Sequence, residues 1–160
     1  MKNAMSIPIL LYHSIDEQCA DAYRRWTVPP GTFDRHMRLL SGAGCHVIAV
    51  SELAAVLRSG RDVQPGTVLI TFDDGLRDFR TGAMPVLQRY GLSATLYVVA
   101  GCVGEQSRWL APLGEGDRPM LGWEELREVR AAGMEIGAHT ISHPQLDILT
   151  PAQALEEISL

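Results

Sequence analysis

Two short stretches hold the side chains best suited to chemistry. In Thr71-Phe72-Asp73-Asp74-Gly75, two adjacent carboxylates directly follow an apolar run, and the glycine permits the tight turn that would expose them. If the run is a buried strand, the pair sits at the carboxyl end of a sheet, where α/β proteins bind ligands. An Asp N-cap with a solvated neighbour is an equally good reading of the pair alone. In His139-Thr140-Ile141-Ser142-His143-Pro144, two imidazoles stand four residues apart. Neutral imidazoles ligate a divalent metal at about 2 Å if a turn brings both to one side. Pro144 disfavours helical geometry at His143, and Thr140 stands where the helical zinc-protease pattern needs its Glu. The segment therefore reads as a loop at a strand end, and on its own it fits a loop with two exposed histidines equally well.

The elements that must position these groups follow from periodicity. Strands are expected at Ile7–Tyr12, His46–Val50, Val68–Phe72, Ala94–Ala100 and Met134–Ala138. Helical patterns lie between them: Phe33, Met37 and Leu40; Ser51–Leu57; Phe79, Ala83, Val86, Leu87 and Tyr90, where Pro85 forces a break or a late start; and Trp123–Ala132. Nearly all-apolar strands separated by helices imply strands buried on both faces, hence an α/β chain with a mainly parallel sheet, open or barrel-like. In such a sheet the carboxyl ends open on one face. One Asp and the two His could then converge as three protein ligands, leaving a fourth position open, as catalytic metals require. The other Asp would be free to act as a base. The stretch Gly101–Leu121 is too long for a plain connection and is expected to be functional or mobile. At the end of the chain, Thr150-Pro151-Ala152-Gln153 reads as a capped helix start. Leu155 and Ile158 begin an apolar stripe, and the absence of a stop signal before Leu160 suggests that the domain continues.

Composition narrows the partners. The 160 residues carry 14 Lys and Arg against 19 Asp and Glu, a net charge of −5, with no basic block to grip nucleic acid or an anionic membrane. No run approaches the ~20 apolar residues of a membrane span. The N-terminus, with Lys2 and a short apolar run interrupted at His13, does not form a secretory signal, so the sequence as it stands reads as cytoplasmic, or extracytoplasmic if a leader has been removed. Cys19, Cys45 and Cys102 match no thiolate metal cluster and read as free thiols.

At this point the sequence resembles the polysaccharide deacetylases of carbohydrate esterase family four, the nodulation-deacetylase homology domain. The two motifs above are similar to that family's first and second. Supporting similarity runs through Pro8-Ile9-Leu10-Leu11-Tyr12-His13-Ser14, Trp123-Glu124-Glu125-Leu126 and Gly133-Met134-Glu135-Ile136-Gly137. The resemblance implies an irregular (β/α) barrel with its site at the C-terminal face. It implies Asp73 as general base and Asp74, His139 and His143 as ligands of a divalent metal, usually zinc. It also implies hydrolysis of acetyl groups on a glucosamine-containing glycan, with the Tyr12-His13 opening most similar to deacetylases of exopolysaccharides. A complete barrel takes ~200 residues or more. Residues 1–160 are therefore expected to be the N-terminal major part of one catalytic domain, an incomplete barrel whose open sheet edge could favour dimers. The family's later segments, including the one carrying its general acid, have no counterpart here. That leaves as the alternative a fragment or pseudoenzyme binding metal or glycan as an interaction module. A phosphoryl-transfer site ranks last, because no Lys follows Lys2. Among other candidates, His13 reads first as a satisfied strand-end histidine and second as one able to touch substrate, His36 and His46 as structural, Trp109 as a sugar-stacking residue, and Trp123 as core. Gly114-Glu115-Gly116 is too slight for a phosphate loop.

Overall fold

The computed structural model describes residues 6–159, so Lys2 and Leu160 lie outside the described residues. In chain order the principal elements are β1 (Ile9–Tyr12), β2 (Ser14–Ile15), β3 (Thr27–Val28), α1 (Pro30–Gly42), β4 (His46–Val47), α2 (Val50–Arg58), β5 (Thr67–Phe72), α3 (Met84–Tyr90), β6 (Thr95–Val98), α4 (Trp123–Ala131), β7 (Glu135–Ala138) and α5 (Pro151–Ile158).

The sheet is organised around β5. Its six residues are all β-branched or large and apolar, and all are buried, the composition of a strand covered on both faces. β1 pairs with it from Ile9 opposite Leu69 to Tyr12 opposite Phe72. β4 pairs with its first residues and β6 with its last, while β7 extends the sheet beyond β6. Every pairing is parallel, which is the expected α/β arrangement. Among the described residues the sheet does not close, since β1 and β7 each have one strand neighbour.

Tyr12, Ile70, Phe72, Leu96 and Val98 face the helices, against Phe33 and Met37 of α1, Val86 and Leu87 of α3, and Leu126 and Val129 of α4. Phe72 is the centre of this layer, its ring 4.8 Å from that of Phe79, 5.2 Å from that of Tyr12 and 5.7 Å from that of Phe33. On the opposite face Leu69 and Thr71 are buried, but Ile9 and Leu11 are 56% and 54% exposed. Burial on both faces thus holds for β5 and not for β1, over whose second face no described element packs.

Several expectations are corrected in detail. The second strand stops at Val47, and Val50 already opens α2. Its short ladder is extended by the Ile48 N–H, which donates to the Val68 carbonyl. The parallel pair β2 and β3 escaped notice because two residues are too few to show a period. Trp123 is 63% exposed rather than core. It is the first residue of α4, and helical side chains lean toward the N-terminus, which carries this one past the packed stripe of Leu126 and Val129. Pro85 acts as a late start: a π-helical turn over Phe79–Ala83 precedes α3, and the proline occupies the first turn, where its missing N–H costs nothing. That π turn lies hard against β2, where a Cβ on Gly82 would come within 2.4 Å of the Ile15 carbonyl oxygen. Gly82→Ala is expected to destabilise the fold by about 1–3 kcal/mol, read as a lower denaturant midpoint at unchanged m-value; an unchanged midpoint would contradict this packing.

At the end of the chain, α5 has the anticipated capping box: the Gln153 N–H donates to Thr150 Oγ1 and the Thr150 N–H to Gln153 Oε1. The helix closes at Ile158, with Ser159 extended, and its Leu155 and Ile158 are exposed. No helix among the described residues is long and apolar enough to cross a membrane, and the three cysteines are free thiols.

Candidate functional site

The Asp pair is built by the turn that ends β5. The Asp73 N–H continues the ladder by donating to the Tyr12 carbonyl, and then Asp74 and Gly75 both adopt left-handed conformations, φ 77° and 81°. For a non-glycine residue that conformation costs roughly 1–2 kcal/mol. It is held by the Val99 N–H donating to the Asp74 carbonyl and the Leu121 N–H donating to the Gly75 carbonyl. Gly75 is required twice, for its φ and because a Cβ would lie 2.9 Å from Val98 Cγ1. The turn sends adjacent carboxylates into different surroundings, with Asp74 buried and Asp73 half-buried.

The histidine segment begins where the His139 N–H donates to the Val98 carbonyl, at the end of the β6–β7 ladder. Thr140 and His143 both have left-handed φ, 63° and 64°. The Thr140 hydroxyl accepts from the His143 N–H across the turn at 3.0 Å. The N–H groups of Ala100 and Gly101 donate to the Thr140 and Ile141 carbonyls. Both imidazoles are thereby returned to the same side.

These two turns bring Asp74, His139 and His143 together, with one potential ligand atom from each lying within 4.8 Å of the others. Asp74 Oδ1 is 3.2 Å from His143 Nε2 and 3.8 Å from His139 Nε2. Ligand atoms at about 2.0–2.1 Å from a tetrahedral metal are separated by roughly 3.3 Å, so the spacing suits one ion. Asp74 Oδ1 is also buried with no hydrogen-bond partner among the described residues. A buried orphan carboxylate oxygen is costly, and a shared cation would satisfy it. The donor set of one carboxylate and two imidazoles fits a divalent metal of the zinc type.

Electrostatics separate the remaining groups. The Asp74 carboxylate holds the His143 imidazole above its ordinary pKa, against the effect of burial. Burial pushes the Asp73 carboxyl above the usual carboxylate range, while His139, His13 and His143 pull it down. Asp73 is not among the three convergent groups and stands beside them.

His13 departs from its favoured sequence reading in its hydrogen bonding. Far from being satisfied at its strand end, it makes no side-chain hydrogen bond among the described residues, and it lines a recess of about 260 Å³ shared with Asp74 and His143. The walls are Tyr23, Trp26, Trp109, Leu110 and Leu113. Trp109, singled out from sequence, stacks on His143 with ring centroids 5.1 Å apart. Tyr23 and Trp26 were missed. Their i, i+3 spacing in a 3-10 turn, which eclipses such side chains, explains their mutual stacking at 5.5 Å, but nothing in the spacing says what the pair faces. His36 takes the hydroxyl of Tyr12 at 3.0 Å, as befits a structural residue, and His46 lies exposed in β4.

The profile of the family described as polysaccharide deacetylase matches residues 60–160. The chain belongs to the polysaccharide deacetylase family. YxkH of Bacillus subtilis (strain 168), assigned to the polysaccharide deacetylases, is 33% identical over 153 residues, 96% of this chain and 49% of YxkH. The poly-β-1,6-N-acetyl-D-glucosamine N-deacetylase of Escherichia coli (strain K12) is 26% identical over 133 residues, 81% of this chain and 20% of that enzyme. Among solved structures, the Streptococcus pyogenes deacetylase PplD in complex with acetate superposes with a TM-score of 0.76 at 27% identity, over 95% of this chain and 64% of PplD. The chain thus spans about half the length of YxkH and a smaller part of the E. coli enzyme. The deacetylase fold expected from the motifs is the fold observed.

Proposed function

We propose that this chain is the N-terminal major part, residues 1–160, of one catalytic domain of a metal-dependent deacetylase. The domain hydrolyses acetyl groups, chiefly N-acetyl, on a glucosamine-containing polysaccharide. The observation that carries the reading is the convergence of Asp74, His139 and His143 around an orphaned buried carboxylate oxygen, with Asp73 free beside them. Asp74, His139 and His143 would hold the metal, with zinc the choice best matched to two imidazoles and a carboxylate. When bound, it would supply a water of lowered pKa and polarise the acetyl carbonyl.

This chain's own residues do part of the rest. Asp73 takes a proton from the attacking water, and its burial keeps it a stronger base than an ordinary carboxylate. The water oxygen bonds to the acetyl carbonyl carbon first, and the C–N bond then breaks, releasing acetate and a free amine on the sugar. The amine needs a proton, and His13 stands on the neighbouring strand end in the same recess, with its imidazole uncommitted. The acid expected of the family lies on its later segments, beyond these residues, and His13 is placed here only to contact the substrate. Trp109 and Trp26 offer flat apolar surface to a sugar ring, with the buried Tyr23 stacked behind Trp26.

The reading is tested by metal analysis together with acetate release from N-acetylglucosamine oligomers, measured on this chain alone and continued through the remainder of the domain. Bound metal without acetate release from the continued domain would overturn it and favour a metal- or glycan-binding module. His13→Gln should lower turnover with metal content unchanged; undiminished turnover would remove His13 from the substrate's surroundings.

A further inference from the structure

The loop between the two histidines is secured from outside the sheet by a residue that neither motif contains. Glu157 lies in the last turn of α5 beside Glu156, and carboxylates there oppose the helix dipole. Glu156 is exposed. Glu157 reaches across to the histidine loop, where its Oε2 accepts from the N–H groups of Ile141 at 3.0 Å and Ser142 at 2.8 Å. Its Oε1 accepts from the Ser142 hydroxyl at 2.6 Å. The Ile141 N–H also points to the Glu157 carbonyl at 3.2 Å, so backbone and side chain of one residue grip the same turn. Successive backbone N–H groups facing one anion form a nest, and here the anion comes from the protein itself.

The loop needs such support. Thr140 and His143 bracket Ile141 and Ser142, and both occupy the left-handed region that L residues avoid. Conformations of this kind persist only where their surroundings over-determine them. On one side the carbonyls of Thr140 and Ile141 are held by the N–H groups of Ala100 and Gly101. On the other side the N–H groups of Ile141 and Ser142 have Glu157. An amide in its place would offer one acceptor oxygen and present an NH2 group to donors that need an acceptor.

We propose that Glu157 is a positioning residue of the metal centre, its carboxylate fixing the Ile141–Ser142 turn so that His139 and His143 present their Nε2 atoms to one point. The inference rests on reading Asp74, His139 and His143 as metal ligands. Its test needs no turnover: Zn2+ affinity by competition with a chromogenic chelator, and the visible spectrum of the Co2+ form, for the full chain. Groups that support metal ligands typically contribute 10- to 100-fold in affinity. Glu157→Gln is expected to weaken Zn2+ binding by that factor and to alter the Co2+ bands. Ser142→Ala should show a smaller loss, and Glu156→Gln, which removes the same charge one residue away, none. Equal affinity in wild type and Glu157→Gln overturns the inference, as does an equal loss in Glu156→Gln. Should Glu157→Gln lower the metal-free melting temperature, Ser142→Ala decides, and unchanged affinity there overturns it. A wild-type chain that takes up no Zn2+ overturns the ligand reading and this inference with it, whereas wild-type binding with an indifferent Glu157→Gln overturns the inference alone.

Discussion

His139→Ala is expected to take bound metal from one ion per chain to none after dialysis against a weak chelator, with the fold retained. Three protein ligands already leave one position open, and removing one leaves two, which hold a divalent ion poorly in water. The loss should exceed the ~10- to 100-fold that follows from removing a mere supporting partner. The substitution leaves the backbone contact that matters to the sheet, because the main-chain N–H of residue 139, not its side chain, donates to Val98. The imidazole is itself 31% exposed, so its removal opens no sealed cavity. Melting temperature and far-UV circular dichroism of the metal-free protein should therefore match wild type. Unchanged metal content would reject the ligand assignment. Lost metal with a lost fold would instead assign the side chain a structural role.

The parts of this molecule that were legible in its sequence are those specified locally. β5 could be recognised because six consecutive buried residues leave no polar alternation to interpret, and the Asp pair at its end inherits its position from that strand. The α1 and α4 stripes were legible for the same reason, with Phe33 and Met37, and Leu126 and Val129, repeating at helical spacing on buried faces. His139 and His143 could be nominated because their spacing and Pro144 confine them to a turn. The left-handed φ at Thr140 and His143 could not be read, since neither residue type signals it and the conformation is imposed by contacts with Ala100, Gly101 and Glu157. His13 illustrates the same limit. A histidine after a short apolar strand is ambiguous until parallel pairing in register, Tyr12 beside Phe72, places it next to Asp73. The aromatic wall had no local signal either, because Tyr23, Trp26 and Trp109 come from segments more than 80 residues apart and meet only in the folded chain.

The second large effect separates the two adjacent carboxylates. Asp73→Asn should leave metal content unchanged while acetate release from the continued domain falls by about 10²- to 10⁴-fold, the usual cost of removing a general base. Asparagine keeps the shape of the side chain and the Asp73 N–H bond to the Tyr12 carbonyl, so the turn that aims Asp74 is undisturbed. What it removes is the capacity to take a proton, in a carboxyl that burial has already made more basic than an exposed one. Asp74→Asn should do the reverse, weakening metal binding first, because its buried Oδ1 has no hydrogen-bond partner among the described residues. The pair of results forms a two-way test. Metal lost on Asp73→Asn would put that residue into the coordination sphere. Turnover surviving Asp73→Asn would pass the base role to another group, such as the imidazole of His13. Turnover lost and metal kept would fix the division of labour that the left-handed turn at Asp74 creates: one carboxylate turned inward to hold charge, its neighbour left half-buried to move a proton.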